Sequence, residues 1–440
     1  MPELFRKTRS VCPFCLKNLP AALWRGEDGS VILEKTCPEH GNFRVPVWAG
    51  RMDFDAWIRG AEPLPEGAGP SCPGNCGICG EHESGTCCVL LEVTRRCDLR
   101  CRYCFADGGS AGSDPSEDEM KAAILDIVQK CGTPLLQFSG GEPTLRDDLP
   151  ELVRFAKQAG CSYTQVNTNG IRLAEDPGYA KALAEAGLDI VFLQFDGTED
   201  RVYEALRGRP LLRTKLAAVR SCADCGIGVT LVPTVVPGVN DHDLGGIVRL
   251  AASLAPGVRG VHFQPVSYFG RYPQAPSAAD RYTLDMLMAG LSDQAQIPLE
   301  SFLPSRCDHP LCGFHARFLI GDGGALTPLT SVTHAPGNKG TAKDNREYIA
   351  KNWSAPKPPA LDEGASAKKG PASFGADLSS MDFDTFLSRM RRGSLTLSAM
   401  AFQDAMNLNI ERLRRCSLHV YDGGKIKPFC ARYLSRYGMP

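Results

Sequence analysis

Between residues 88 and 268 the chain repeats one rhythm: a short apolar run, a polar or glycine-rich turn, then a helical pattern. The runs CVLLEVT, PLLQFSGG, YTQVNTNG, DIVFLQFDG, GVTLVPTVV and GVHFQPVS are short and often β-branched, and they close on breakers, as buried strands do. Between the first two, SEDEMKAAILDIVQKCG carries a capping box at Ser116 and Glu119 and one apolar face of Ala123, Ile124, Ile127 and Val128. LPELVRFAKQAG, YAKALAEAG and TKLAAVRSCADCG end at glycines suited to helix C-termini. Alternation at this spacing requires parallel strands joined by right-handed crossovers. Six units fall short of an eight-stranded barrel, so the expected fold class is α/β: a partial (β/α)6 TIM-type barrel over residues 89–270, flanked by N-terminal and C-terminal metal-binding extensions. Chemistry then belongs at the C-terminal ends of the strands.

The flanks read differently. Residues 1–60 suggest a rubredoxin-like or zinc-ribbon-like module, 61–88 a cysteine-rich auxiliary cluster segment behind the linker EPLPEGAGP, and 271–440 a C-terminal extension. Residues 335–375, rich in Pro, Ala, Lys and Gly, read as a linker or mobile loop. A net charge of −1 argues against bulk nucleic-acid or membrane electrostatics, and the basic C-terminal tail reads as a solvated helix face. The opening lacks a secretory apolar core, and no apolar run approaches the roughly 18 residues of a membrane span. The expectation is a cytoplasmic protein. In that reducing setting, 19 clustered cysteines point to metal or redox chemistry rather than disulfides.

The stretch RRCDLRCRYCFADGG follows the first strand and sets Cys97, Cys101 and Cys104 at C-x3-C-x2-C. A structural metal site closes with four ligands. Three thiolates can instead hold three irons of a [4Fe-4S] cluster and leave the fourth iron open. Cys72, Cys76, Cys79 and Cys87 supply a complete set for a second cluster, and Cys307, Cys312, Cys416 and Cys430 can combine into a third. Cys12, Cys15 and Cys37 suit a mononuclear iron or zinc site whose fourth ligand is His40, Cys88 or a cysteine of the 72–87 group. Cys131 and Cys161 read as buried thiols. Cys222 and Cys225 form C-x2-C without a partner pair.

Cys97, Cys101 and Cys104, with Tyr103 before the last, followed by SGGEP (Ser139 to Pro143) after the second strand, make the chain resemble the radical S-adenosylmethionine (SAM) superfamily. CPFC…CPEHG, CPGNCGICGEHESGTC and RRCSLHVYDGGKIKPFC extend the resemblance nearly end to end. They point to the branch of tetraether lipid synthase-like enzymes, formerly described as pterin methyltransferases, and within it to the TrsS-type radical SAM (seleno)proteins. The resemblance implies SAM on the open iron, reductive cleavage to a 5′-deoxyadenosyl radical, and hydrogen abstraction from an unactivated carbon. It further implies one or two auxiliary [4Fe-4S] clusters beside the mononuclear site, and C–C bond formation as in tetraether lipid synthase. Ser139, Gly140, Gly141 and Glu142 would hold SAM, with Gly140 and Gly141 letting the backbone approach its methionine part. Thr168 and Asn169 in NTNG, and Gln194 and Asp196 in LQFDGT, stand where relatives contact ribose or sulfonium. Equally, they fit plain turns. His262 and Gln264 face one side of the sixth strand, as substrate contacts or as barrel filling.

The implied partners are a small-molecule or lipid substrate and a low-potential donor such as ferredoxin or flavodoxin, with no nucleic acid and with room for peripheral membrane contact. Competing classes are an iron–sulfur electron carrier or scaffold, a radical SAM methylase or peptide- or cofactor-modifying enzyme, and a zinc-ribbon nucleic-acid binder.

Overall fold

The structure, a computed structural model, describes residues 2–59, 72–74, 76–109, 113–305, 307–329, 341–355 and 392–437. All six expected strands are present: Cys88–Thr94, Leu135–Gly140, Tyr163–Thr168, Ile190–Gln194, Gly228–Val232 and Val258–Pro265. They pair in parallel and in chain order. Their period of two separates two cores. Val89, Leu91, Phe138, Val166, Leu193, Leu231 and Phe263 point outward and pack on helix residues such as Leu152, Leu183, Val219 and Ile247. Leu90, Gln137, Gln165, Phe192, Val232 and His262 point inward and line a cavity. The first crossover helix, Glu117–Cys131, starts at Ser116 with the expected capping box, Glu119 accepting from the Ser116 backbone and Ser116 from the Glu119 backbone.

Residues beyond the sixth strand extend the same sheet. Ser394–Met400 pairs in parallel with that strand, and Leu418–Asp422 pairs in parallel with the first. Antiparallel strands Gly313–Ile320 and Lys425–Pro428 lie outside these two. Arginines of the basic tail are engaged rather than solvated: Arg414 donates to the Glu81 carbonyl at 2.9 Å, and Arg432 pairs with Glu92 at 3.2 Å.

Within the segment expected to be a linker, residues 341–355 are ordered around a helix, Ala342–Trp353, capped by Thr341 and Asp344. The rest of that stretch lies outside the described residues. Composition hid the helix because Pro, Ala, Lys and Gly surround a short amphipathic segment. It crosses the N-terminal strand ends, where the Tyr163 hydroxyl donates to the Ala350 carbonyl at 2.6 Å and Arg346 to the Thr86 carbonyl at 2.6 Å.

The N-terminal strands Glu3–Val11, Asn18–Arg25, Val31–Cys37 and Gly41–Trp48 form a separate antiparallel sheet in chain order. Lys35 ties it to the C-terminal region, donating to the Ser10 hydroxyl and to the Ala405 and Met406 carbonyls at 3.0, 2.8 and 2.7 Å. Burial lowers its pKa to about 7. Among the described residues no helix is long and apolar enough to cross a membrane.

Candidate functional site

The first strand runs into the loop bearing Cys97, Cys101 and Cys104, and the turn after the sixth strand holds that loop. Arg271 Nε donates to the Cys101 carbonyl at 2.9 Å, and its NH1 reaches Asp107 Oδ1 at 3.0 Å. Cys104 and Arg271 exchange backbone hydrogen bonds, both at 2.9 Å. Arg271 carried no sequence signal, because its role is set by a contact across more than 160 positions. The three thiols are half-buried and line one cavity of about 290 Å³ together with Ser139, Gly140, Gly141, Glu142, Thr168, Asn169 and Gln194. Asp196 does not line it.

The glycine turn is shaped by the cysteine loop itself. A Cβ on Gly140, whose φ is +125°, would sit 2.2 Å from the Thr94 carbonyl oxygen, and one on Gly141 would sit 2.1 Å from that of Arg96. The Gly141 and Glu142 amides donate to these same carbonyls at 2.8 Å each. The close approach that requires glycine is therefore chain to chain. Glu142 is buried, and its carboxylate accepts from the Thr144 and Thr168 hydroxyls, both at 2.6 Å, and from the Asn169 amide at 2.7 Å. Burial raises its pKa against the opposing pull of these donors. Glu142 thus welds the second strand end to the third. Asn169 Nδ2 in turn donates to Asp98 at 2.6 Å, linking the third strand to the cysteine loop.

Two residues missed in the sequence organise the fourth strand end. Arg207 forms a fully buried bidentate pair with Asp196 at 2.6 and 2.7 Å, while Asp196 also accepts the Thr234 amide at 3.1 Å. Burial opposes the charge on Arg207, but Asp196, with the Cys101 thiol also in hydrogen-bond reach, holds its pKa above the ordinary value. Lys215 is buried and donates to Gln194 Oε1 at 2.7 Å and to the Asn169 carbonyl. Burial lowers its pKa to about 8, with Asp196 pulling the other way. Arg207 and Lys215 sit in helical patterns where a buried cation looks like any surface one. Within the cavity, His262 Nδ1 lies 2.9 Å from the Ser398 hydroxyl, and burial lowers the imidazole to about 4.

The donor chemistry fits an open cluster. The sulfurs of Cys97, Cys101 and Cys104 do not all come within 4.8 Å of one another, whereas Cys12, Cys15, Cys37 and His40 do. The latter group is a closed four-donor set, with His40 Nδ1 3.6 Å from Cys12 Sγ and 3.4 Å from Cys37 Sγ. Of the fourth ligands left open by the sequence, the geometry selects His40. Cys88 lies apart, its thiol 3.2 Å from Gln137. Burial pushes the Cys97 thiol up to about 12, so its thiolate needs the positive charge of bound iron.

The remaining cysteines divide differently from their spacing. Cys87, just before the first strand, lies within hydrogen-bond reach of Cys307. Asn345 donates to Cys87 Sγ at 3.2 Å, and Ser417 Oγ lies 3.1 Å from Cys307 Sγ. Cys312, Cys416 and Cys430 line a second, small cavity with Asp308, Gln403 and Arg412. Cys72 and Cys76 lie within hydrogen-bond reach of each other, and Cys79 is exposed. Cys161 and Cys222 are buried, Cys131 and Cys225 half-buried.

Comparison with known proteins gives two family matches: the radical SAM superfamily over residues 91–251, and the HMPTM N-terminal zinc ribbon domain over residues 4–49. The 7,8-dihydro-6-hydroxymethylpterin dimethyltransferase of Methanocaldococcus jannaschii is 34% identical over 473 residues, covering 97% of this chain and 92% of that protein. A probable GTP 3′,8-cyclase of Methanothermobacter thermautotrophicus is 28% identical over 226 residues, covering 50% and 70% of the two chains. Among solved structures, the FeFe-hydrogenase maturase of Carboxydothermus hydrogenoformans superposes with a TM-score of 0.40 at 15% identity, covering 48% of this chain and 52% of that one.

Proposed function

The chain belongs to the radical SAM superfamily, and from that premise we propose that it forms a C–C bond at an unactivated carbon of a small molecule held inside the barrel, methylation being the smallest such step. The observation that carries this reading is the open triad: Cys97, Cys101 and Cys104 face a cavity of about 290 Å³ beside the Gly140–Gly141 turn. When bound, a [4Fe-4S] cluster with SAM supplies a 5′-deoxyadenosyl radical able to abstract hydrogen from carbon. The chain's own residues position and shield that chemistry. Arg271 and Asn169 fix the cysteine loop. Glu142 holds two strand ends in register, and Arg207 places a cation beside Cys101. Leu90, Phe192, Val232 and Trp353 make the cavity wall apolar and exclude water.

Ser139, Gln194, Thr168 and Asn169 are the proposed SAM contacts on the cavity wall, with Asp196 acting through Arg207. His262 and Gln264 are the proposed substrate contacts from the sixth strand. We assign the remaining cysteine groups to auxiliary clusters that pass electrons from a low-potential donor such as ferredoxin or flavodoxin, in a cytoplasmic setting. The relative's name, a pterin dimethyltransferase, favours a methylated heterocycle over a lipid, and the cavity's size is in keeping with that. Anaerobic incubation of the iron-loaded protein with dithionite and SAM tests the reading. It should release 5′-deoxyadenosine. A fully loaded protein that releases none is an electron carrier or scaffold instead.

A further inference from the structure

Near the other end of the barrel two arginines lack a counter-charge among the described residues. Arg259, near the start of the sixth strand, is 3% exposed. Its Nη2 reaches Ser394 Oγ at 3.4 Å, while its Nε and Nη1 are buried with no hydrogen-bond partner among the described residues. Arg317, half-buried on the strand Gly313–Ile320, reaches the same Ser394 Oγ at 3.4 Å, and its Nε is likewise buried and unpartnered. Two guanidiniums therefore share one neutral hydroxyl at the outer limit of hydrogen-bond distance. Three other buried guanidiniums each have a carboxylate, Arg146 with Asp148, Arg207 with Asp196 and Arg281 with Asp404, while Arg412 donates to the Ala401 carbonyl at 2.7 Å. Burial lowers the Arg259 pKa to about 10, and the charge on Arg317 pushes it the same way. An unpaired buried cation is costly, and paired forks of N–H donors match the oxygens of carboxylates and phosphates.

We propose that Arg259, Arg317 and Ser394 form a binding site for a small oxyanion, a carboxylate or a phosphate, at the end of the barrel opposite the cysteine triad. The helix Ala342–Trp353 packs over this region: its Tyr348 lies near Arg317 and stacks edge-on against His315 at 5.7 Å. Trp353 of the same helix lines the main cavity. The partial exposure of Arg317 provides the approach. This inference stands whether or not the barrel performs radical chemistry.

The test is thermal melting of the full-length, cluster-loaded protein at constant ionic strength in chloride, titrated separately with inorganic phosphate and with acetate. The wild type should show a saturable rise in Tm with at least one of them, as expected when a ligand binds only the folded state. A response to phosphate alone assigns a phosphate site, and a response to acetate alone or to both assigns one open to carboxylates. Arg317→Gln should weaken that response at least tenfold. It should also melt higher than the wild type without the anion, because charge repulsion is relieved. Arg317→Lys, which keeps the charge and loses the fork, should bind more weakly than the wild type but more tightly than Arg317→Gln. No saturable shift with either anion, or equal shifts in wild type and Arg317→Gln, overturns the proposal.

Discussion

Two cysteine groups in this chain start from similar material and reach opposite ends. In the N-terminal sheet, Cys12, Cys15 and Cys37 acquire His40, and all four donor atoms gather within 4.8 Å. On the barrel, Cys97, Cys101 and Cys104 belong to no such gathered set among the described residues, and they line the large cavity. A closed donor set makes a metal a folding element; an open one makes it a place where something else binds. The scaffolds agree with this division. The closed site sits at one end of a small sheet: Cys37 ends its third strand, and Cys12, Cys15 and His40 lie in the connections after the first and third strands. The open site is held by residues from several separate elements: Glu142, Asn169 and Arg271 from loops that follow strands, and Arg207 from the end of a helix.

The largest separation should come from paired substitutions. Cys101→Ala should lower 5′-deoxyadenosine formation by at least about a thousandfold and remove about four irons per chain, with secondary structure by circular dichroism unchanged. Next in size is the buried pair behind the open site. Arg207→Gln leaves Asp196 charged and unpaired, and should cost about 3–5 kcal/mol of stability, read from the urea midpoint. A third effect depends on pH. His262 titrates at about 4 in the fold against 6.5 for the free imidazole, so the unfolded chain takes up the proton first as pH falls. The His262 contribution to stability should be full above pH 6.5 and decline toward pH 4, by about 3 kcal/mol. His262→Gln should flatten that slope between pH 7 and 5. The smallest effect on activity belongs to the closed site. His40→Ala should lose the N-terminal metal and loosen its sheet, while the rate of SAM cleavage changes by less than about threefold. A collapse of cleavage in His40→Ala, with the cluster iron intact, would erase the distinction between the two sites.

The barrel was legible because its signal is local and repeated. Each strand carries its own apolar run and its own terminating turn, and the capping box at Ser116 and Glu119 marked a helix start that the structure reproduces. The cysteine triad was legible because three thiolates at that spacing leave a ligand position open, and SGGEP because it is part of the radical SAM resemblance. What sequence could not show was long-range. Ser394–Met400 and Leu418–Asp422 become sheet strands through partners far away in sequence. Cys87 and Cys307, 220 positions apart in sequence, come within hydrogen-bond reach of each other. The reason for Gly140 and Gly141 also changed in kind. The space they keep free is filled by the carbonyls of Thr94 and Arg96, a packing requirement that no motif spells out.

The most direct test of the open triad is the electron paramagnetic resonance spectrum of the reduced protein, recorded with and without SAM, in a chain whose auxiliary cysteines Cys76, Cys307 and Cys430 are changed to Ala. With the cluster on Cys97, Cys101 and Cys104 as the principal reduced centre, SAM should shift its g-values, because it enters an iron position that no side chain fills. Identical spectra with and without saturating SAM, at full cluster iron content, would contradict the account.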